Sequence, residues 1–308
     1  MVRSVSAAPG APSCRERAGS RAERPTVDRG VAPPSRQVMV FEPDADGLVR
    51  RPDQLAVEEP LQIRLRTPAG TSTLAVTMRT PGSDMELVAG LLLAEGIVDG
   101  PDDLAGLTTC LGDEASGGQR YNVVTAALRG PPRQLGRERT LVTSSACGVC
   151  GTTSVDAVVG AGWPTLPTGP VMPLAWVVAL PELLRAQQRS FDVTGAVHGA
   201  GLARAGGSLL VVREDVGRHN AVDKVVGWAM LRRLLPLAEA VLVVSGRVSF
   251  EIVQKALRGG VPVVVAVSGA TSLAVELAER SGMTLVGFAR GDRCTVYCGR
   301  QRARQPPS

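Results

Sequence analysis

The sequence is poor in aromatic residues and has no long apolar run. Aromatic residues make up 3% of the 308 residues, against 44% for all hydrophobic residues. The core must therefore be built from Val, Leu, Ala and Ile, and aromatic stacking on nucleic-acid bases is not expected. No stretch of about twenty apolar residues exists, so no transmembrane helix is expected. The N-terminus also lacks the apolar core of a signal peptide, which predicts a cytoplasmic protein.

Six cysteines, two histidines and a formal net charge of +5 are the next features. Cytoplasmic thiols stay reduced, so the cysteines favour metal binding or catalysis over a disulfide framework. The basic excess has two interpretations that composition leaves open. It is a solvated surface, or it serves a ligand that carries phosphate.

Four segments are predicted along the chain. Residues 1–37, rich in Arg, Ser, Ala and Pro, read as a disordered tail. Residues 38–143 are predicted to form a small α+β domain, and residues 144–302 an α/β domain with a mainly parallel sheet. Residues 303–308 are predicted to be a second tail.

The first domain shows hairpin and helix signals. Residues 62–66 and 73–78 alternate in polarity around a Pro-Ala-Gly turn, which predicts a β-hairpin. Ser83 and Glu86 have the spacing of a capping box, and an apolar helix should follow to about Glu95. Gly96 is well placed to end that helix.

In the second domain, β-branched runs alternate with helical segments. Strands are predicted at residues 209–212, 241–244, 263–267 and 284–287. Helices should occupy residues 221–235, 250–257 and 273–280. Unbroken apolar strands that alternate with helices indicate a mainly parallel sheet covered on both faces.

The sharpest chemical feature is the loop Cys147-Gly148-Val149-Cys150. Its glycines predict a mobile, exposed segment. A helix over about residues 153–159 would direct its N-terminal dipole at the loop and favour the thiolate. A thiolate is the form that attacks sulfane sulfur to give a persulfide, and the second thiol could protect or resolve it by exchange.

Two cysteines with two residues between them also occur in zinc sites and in thioredoxin-like redox pairs. A four-cysteine zinc site would need Cys294 and Cys298, which a strand would place on one face. The glycines beside Cys147 favour a mobile segment over the rigid ligand geometry of a zinc site, so we expect no bound metal. In a thioredoxin-like fold the cysteine pair follows the first strand, whereas here it follows a small α+β region.

Two Ser-Gly loops each follow an apolar strand and open a helix, at residues 245–249 and 268–272. Free N–H groups, hydroxyls and a positive helix end would suit phosphate. The alternative is that the Ser and Thr residues only cap the helices. Neither loop has the Gly-Lys-Ser/Thr ending of a P-loop.

Charge is dense at residues 213–224, directly after an apolar strand. A salt-bridged helix start, capped by Asn220, is the structural interpretation. The density of ionisable groups, with His219 among them, favours a functional site. The other histidine, His198, is either structural or part of that site.

These motifs in their order resemble the FdhD family, the accessory sulfurtransferases of formate dehydrogenase. The match runs from about Met78 onward and excludes the first 37 residues. It rests on the following stretches: RTPGSDMELVAGLLLAEGI, SSACGVCG, TGAVHGAGL, REDVGRHNAVDKVVG, SGRVSFEIVQKA and LAVELAERSGMTLVGFARG. Two positions depart from the usual family pattern, Ala146 before Cys147 and Ala196 near His198.

The resemblance implies a function and a fold. A cysteine desulfurase would load sulfur onto Cys147, with Cys150 as an accessory thiol. The sulfur would pass to the molybdenum bis-guanine-dinucleotide cofactor, held as a substrate, for insertion into formate dehydrogenase. The protein would be a homodimer, and its C-terminal domain would have a cytidine-deaminase-like fold.

The predicted cofactor-binding residues come from two sources. The resemblance supplies the segment from residue 288 to 293, and the loop and histidine arguments supply the rest. The full set is Phe288, Ala289, Arg290, Gly291, Asp292, Arg293, Ser245, Gly246, Arg247, Ser249 and His198.

Two rival functions remain at this stage. A zinc deaminase needs a catalytic Glu two residues after its metal-binding residue, but His198 is followed by Gly199 and Ala200. A deaminase-like fold therefore does not imply deaminase activity here. The second rival is a chaperone that binds the cofactor and hands it over unchanged, for which Cys147 would be dispensable.

Overall fold

A computed structural model describes residues 34–45, 47–110, 122–133, 141–142 and 166–304. The first element is a two-stranded hairpin, β1 (Ser35–Asp44) and β2 (Gly47–Ala56). Strand β1 begins at Ser35, so the predicted tail is three residues too long at its C-terminal end. The predicted domain boundary at residues 143 and 144 lies outside the described residues.

The N-terminal half contains a five-stranded sheet in the order β5-β6-β3-β4-β7. Strands β3 and β4 are the predicted hairpin, antiparallel from Glu59 to Arg79. The bounds are β3 (Glu59–Thr67), β4 (Gly70–Arg79), β5 (Leu104–Cys110), β6 (Val123–Leu128) and β7 (Leu141–Val142). Helix α1 (Asp84–Ala94) packs on this half and is followed by Gly96 with a φ of 67°.

The C-terminal half is built on a six-stranded sheet in the order β10-β9-β11-β12-β13-β14. Its strands are β9 (His198–Arg204), β10 (Leu209–Asp215), β11 (Ala240–Val244), β12 (Val263–Ala266), β13 (Thr284–Arg290) and β14 (Arg293–Cys298). The three central strands β11, β12 and β13 are parallel, and the other pairings are antiparallel. The mixed α/β class is confirmed, but the sheet is only partly parallel and not mainly parallel as predicted, because the parallel pairings are confined to its centre.

Helices cover both faces of this sheet. Helix α2 (Leu174–Arg185) lies on one face, and α4 (Arg218–Leu231), α5 (Phe250–Arg258) and α6 (Ser272–Arg280) lie on the other. The short helix α3 (Arg189–Thr194) follows α2. Val241 and Val243 face α2, whereas Leu242 and Val244 face the opposite core, which explains the unbroken apolar strands.

The C-terminal end of the described chain is also folded. Strand β15 (Ala303–Arg304) pairs in parallel with β8 (Met172–Pro173). The preceding Arg302 is 2% exposed and donates to the carbonyls of Gly169 and Gly282. The predicted tail at residues 303–308 is therefore wrong for its first two residues, and its last four lie outside the described chain.

The two halves share one hydrophobic core and meet where α1 crosses α4. A Cβ on Gly90 would lie 2.0 Å from the backbone oxygen of Asp223, and one on Gly227 only 1.8 Å from that of Glu86. Only glycine allows so close an approach of two helix backbones. At these two glycines, the backbones of α1 and α4 are in direct contact and join the two predicted domains.

Two predicted helix caps are wrong. Ser83 precedes α1 with a left-handed φ of 57° and makes no capping hydrogen bond, while Glu86 forms an ion pair with Arg213. Gly217, and not Asn220, precedes α4. Asn220 instead donates from its side-chain amide to the carbonyl of Met78 at 2.8 Å, so both side chains hold the two halves together.

A Gly227→Ala substitution should destabilise the protein although alanine is the better helix former. Overpacking typically lowers the free energy of unfolding by about 1–3 kcal/mol. The higher helix propensity of alanine raises it by only roughly 1 kcal/mol. Urea unfolding measures the difference. Gly106→Ala is the matched control, because nothing lies within 4 Å of its added Cβ. Equal unfolding midpoints for the two variants would contradict the role of the helix crossing.

Candidate functional site

The predicted sulfur-carrying loop with Cys147 and Cys150 lies outside the described residues, as does the helix predicted at residues 153–159. The structure does place the two cysteines that a zinc site would have needed. Cys294 packs against the core on the α2 side, whereas Cys298 packs against the opposite core. A register shift in β14 near Tyr297 reverses the alternation, so the prediction that the two thiols share one face is wrong.

The Cys298 thiol is also poorly suited to bind metal. It donates to the backbone oxygen of Met283 at 3.3 Å, and burial raises its pKa to about 11. Burial raises the pKa of Cys294 as well. Because thiolate is the form that binds zinc, these environments favour packing over coordination.

A cavity of about 710 Å³ opens at the C-terminal edge of the parallel strands, and we call it the edge cavity. This edge is where ligands bind in open α/β sheets. Four predicted cofactor-binding residues line it: His198, Ser245, Ala289 and Arg290. The remaining lining comes from α2, α3 and the adjoining loops, namely Pro181, Glu182, Arg185, Gln188, Phe191, Gly195, Ala196, Val197 and Val267.

The other predicted residues lie around the cavity and do not line it. Gly291 and Asp292 form the two-residue turn between β13 and β14, and the Arg293 side chain is 92% exposed there. Phe288 has a left-handed φ of 51°, and its side chain lies against Gly269. An exposed aromatic residue in this strained conformation is a mark of a functional site.

The two Ser-Gly loops are bound to each other. The Val248 N–H donates to the Gly269 oxygen at 3.1 Å, and the Thr271 N–H donates to the Val248 oxygen at 3.0 Å. The Ser245 N–H is likewise taken, by the oxygen of Gly199 at 2.9 Å. The expectation that these loops present a row of free N–H groups is therefore wrong for these three donors.

The loop hydroxyls are not helix caps either. Ser249 and Thr271 precede α5 and α6, but neither makes a side-chain capping bond. The Ser249 hydroxyl lies 3.1 Å from Nε2 of His219, which also pairs with Glu251 at 2.7 Å. Arg247 is an exposed residue of the same loop as Ser249.

Most of the charged run at residues 213–224 is structural. Arg213 binds Glu86 through two hydrogen bonds of 2.6 and 2.8 Å. Lys224 pairs with the fully buried Asp215 at 2.7 Å and donates to the backbone of Thr80. These contacts connect α1 and β4 to the C-terminal sheet, which corrects the prediction that the whole run forms a functional site.

One residue of that run, Arg218, lies near His198, which lines the edge cavity. A Cβ on Gly246 would lie 3.5 Å both from the His198 Nδ1 and from the Arg218 Cδ. Burial, then Arg218, then His219 lower the pKa of His198, and Asp215 opposes them. The lowered pKa favours the neutral form of the imidazole.

Sequence reasoning missed Gln188 and Arg218. Gln188 lines the cavity and is 3% exposed. No motif marks it, because only the packing of α2 against the sheet edge brings it near His198. Arg218 lies in a stretch that was singled out for its charge, but its position beside Gly246 depends on the tertiary structure.

No helix in the described part of the chain is both long and apolar enough to cross a membrane.

His198 should titrate below the ordinary histidine pKa of about 6.5, because burial and nearby cations disfavour its charged form. The unfolded chain would take up the proton first, so this residue should weaken folding as pH falls through that range. NMR titration of the two histidines measures it. A His198 midpoint at or above the ordinary value would contradict the described environment.

Comparisons with known proteins show the family to which the chain belongs. The model of the FdhD/NarQ family matches residues 56–304. The chain is 49% identical over 259 residues to the sulfur carrier protein FdhD of Nocardia farcinica, covering 84% of this chain and 91% of that protein. It is 50% identical over 264 residues to the one from Streptomyces coelicolor, covering 83% and 92%.

A solved structure is similar in fold as well. The crystal structure described as a formate dehydrogenase accessory protein from Desulfotalea psychrophila has a TM-score of 0.66 and 25% sequence identity. The match covers 88% of this chain and all of that one. Family model, relatives and fold agree, and the chain belongs to the FdhD/NarQ family.

Proposed function

We propose that this protein is a cytoplasmic sulfurtransferase that carries sulfur on Cys147 to a molybdenum bis-guanine-dinucleotide cofactor for formate dehydrogenase. The observation that carries the proposal is the edge cavity. Four residues predicted to bind the cofactor, from three separate strand ends, converge on it. The sulfur carrier relatives and the formate dehydrogenase accessory structure support the same function.

The sulfur step needs a cysteine desulfurase as donor. The Cys147 thiolate attacks the terminal sulfur of a persulfide on the desulfurase. The bond between that sulfur and the desulfurase cysteine breaks, and the desulfurase recovers its thiolate. Cys150 can then protect the new persulfide, because only Gly148 and Val149 separate the two cysteines in the sequence.

The cavity size suits one end of the cofactor. A volume of about 710 Å³ falls within the range of roughly 300–1,000 Å³ that is usual for small-molecule sites. A cofactor with two guanosine diphosphate ends would need two such cavities. A homodimer supplies them, one from each copy of the chain, and this supports the proposed oligomeric state.

Charge at the cavity suits a phosphorylated ligand. Arg290 lines the cavity, and no partner for its side chain occurs among the described residues. A guanidinium can bind phosphate by two parallel hydrogen bonds. The exposed side chains of Phe288, Arg247 and Arg293 remain predicted contacts around the mouth of the site.

Cys147→Ala should abolish sulfur loading, and Cys150→Ala should reduce it less. The chain is incubated with cysteine and a cysteine desulfurase, and intact-mass spectrometry then detects added sulfur. Peptide mapping should place one sulfur atom on Cys147. Full loading of the Cys147→Ala variant would overturn the role of Cys147 as the carrier, whereas no loading of the wild type would favour a chaperone that only binds the cofactor.

Arg290→Ala should weaken GDP binding by about ten- to a hundred-fold, the effect of losing one charged hydrogen bond. Isothermal titration of wild type and variant with GDP and ADP measures it. Arg280→Ala is the control, since Arg280 is exposed at the end of α6 and is not among the residues of the cavity. If ADP binds as well as GDP, the cavity is not a guanine nucleotide site.

A further inference from the structure

The hairpin of β1 and β2 concentrates exposed apolar side chains. Phe41 is 66% exposed and Leu48 71% exposed, and Met39, Val49 and Leu55 are exposed as well. The two strands pair with each other and with no third strand in the part of the chain that the structure describes. An isolated two-stranded hairpin is at best marginally stable in water, so this one needs a hydrophobic cover.

The register of the hairpin gathers its apolar residues on one side. Cross-strand partners lie on the same side of a hairpin, and alternate residues of a strand share a face. We call the side that carries Phe41 the hairpin face. Its central cross-strand pairs are Met39 with Pro52, Phe41 with Arg50, and Pro43 with Leu48. Arg50 is the only charged residue on this face within β1 and β2.

The opposite side of the hairpin has a different character. Val38 and Val40 are half-buried there. Arg51 on the same side forms ion pairs with Glu42 and Asp44. The hairpin lies against α3, which contributes Phe191 to the edge cavity. The hairpin face is therefore an exposed apolar surface on an element that adjoins the cavity wall.

Prolines restrict how a partner can use this hairpin. A proline has no N–H, and in a paired strand its nitrogen points away from the partner strand. Pro43 thus interrupts the outer edge of β1, and Pro52 interrupts the outer edge of β2. Addition of a third strand at either edge is disfavoured. The hairpin face remains as the surface that a partner can cover.

The cover must be present whenever the hairpin is folded. Residues 1–33, which precede the hairpin, contain no aromatic residue, no leucine and no isoleucine, so they are a poor apolar cover. A partner that binds only during sulfur transfer would leave the apolar face in water for the rest of the time. A second copy of the chain is always available and brings an identical apolar face. The charged end of Arg50 can stay in water at the rim while its stem packs.

We infer that the hairpin face, centred on Phe41 and Leu48, is the surface through which two copies of the chain pair about a two-fold axis. The contact is isologous, so the same residues face each other from both copies. The inference names the surface of the homodimer that the proposed function needs, and to that extent it rests on the proposed function. Because α3 adjoins both the hairpin and the edge cavity, this pairing places both cavities of the dimer beside one interface.

Sedimentation velocity of the full chain over a range of concentrations tests the surface. The wild type should sediment at twice the mass of one chain. A double variant with Phe41→Lys and Leu48→Lys should dimerise about ten- to a hundred-fold more weakly, because two central apolar contacts are replaced by charges. Leu231→Lys is the matched control, since Leu231 is also an exposed leucine, 39% accessible at the end of α4, and should leave dimerisation unchanged.

A photocrosslink identifies what covers the hairpin face even if the double variant loses its hairpin. The photoreactive aromatic residue p-benzoylphenylalanine replaces Phe41 and keeps an aromatic ring there. Equal amounts of this chain with and without heavy-isotope labelling are mixed and irradiated. Mass spectrometry should find crosslinks that join a heavy and a light chain within residues 35–56 of both. Crosslinks confined to single chains would show that the chain covers its own hairpin and would overturn the inference.

Sulfur loading on Cys147 is measured in parallel to separate the inference from the proposed function. A monomeric wild type, or a double variant as dimeric as the wild type, overturns the hairpin face as the dimer surface, whereas sulfur loading would leave the carrier role standing. Dimers that depend on the hairpin face but accept no sulfur keep the surface and contradict the proposed function.

Discussion

The contact between α1 and α4 is the constraint on which the rest of the structure depends. Gly90 and Gly227 let two helix backbones touch, which no other residue would allow. This crossing fixes the N-terminal sheet against the C-terminal sheet within a single core. It also sets the direction in which α4 leaves the sheet edge, and so the positions of Arg218 and His219.

Buried charges strengthen the same junction. Arg79 is 2% exposed and binds Asp84 through two hydrogen bonds of 3.0 Å, at the point where β4 leads into α1. Lys224 and Asp215 bind each other and the backbone of Thr80. Removing one partner of such a pair leaves an uncompensated buried charge, so the network specifies one arrangement of the two halves.

The edge cavity follows from this arrangement. The parallel strands β11, β12 and β13 end at one edge, and α2 covers them from one side. Antiparallel β9 brings His198 to the same edge, where the Gly199 N–H binds the Ser245 hydroxyl at 2.9 Å. The cavity thereby gathers residues from distant parts of the chain on a rigid frame, which is the usual form of a small-molecule site.

Local patterns in the sequence determined most of the elements. The hairpin at β3 and β4, helix α1 and the alternating strands and helices of the second half were predictable, because each depends on the periodicity of nearby residues. The family could also be recognised from motifs in order. The role of Cys147 was predicted from the chemistry of its sequence and from the family resemblance, and it stays a prediction.

Only the tertiary structure decided what the polar residues do. Glu86 looked like a capping residue and instead binds Arg213, which is 127 positions away. The charged run looked like a site and is mostly the junction between the halves. Cys294 and Cys298 looked like partners and lie on opposite faces, because one register shift reverses a strand's alternation. Such partners are distant in the chain, so local periodicity fixes the elements, whereas long-range packing decides which charged and polar groups remain free to bind a ligand.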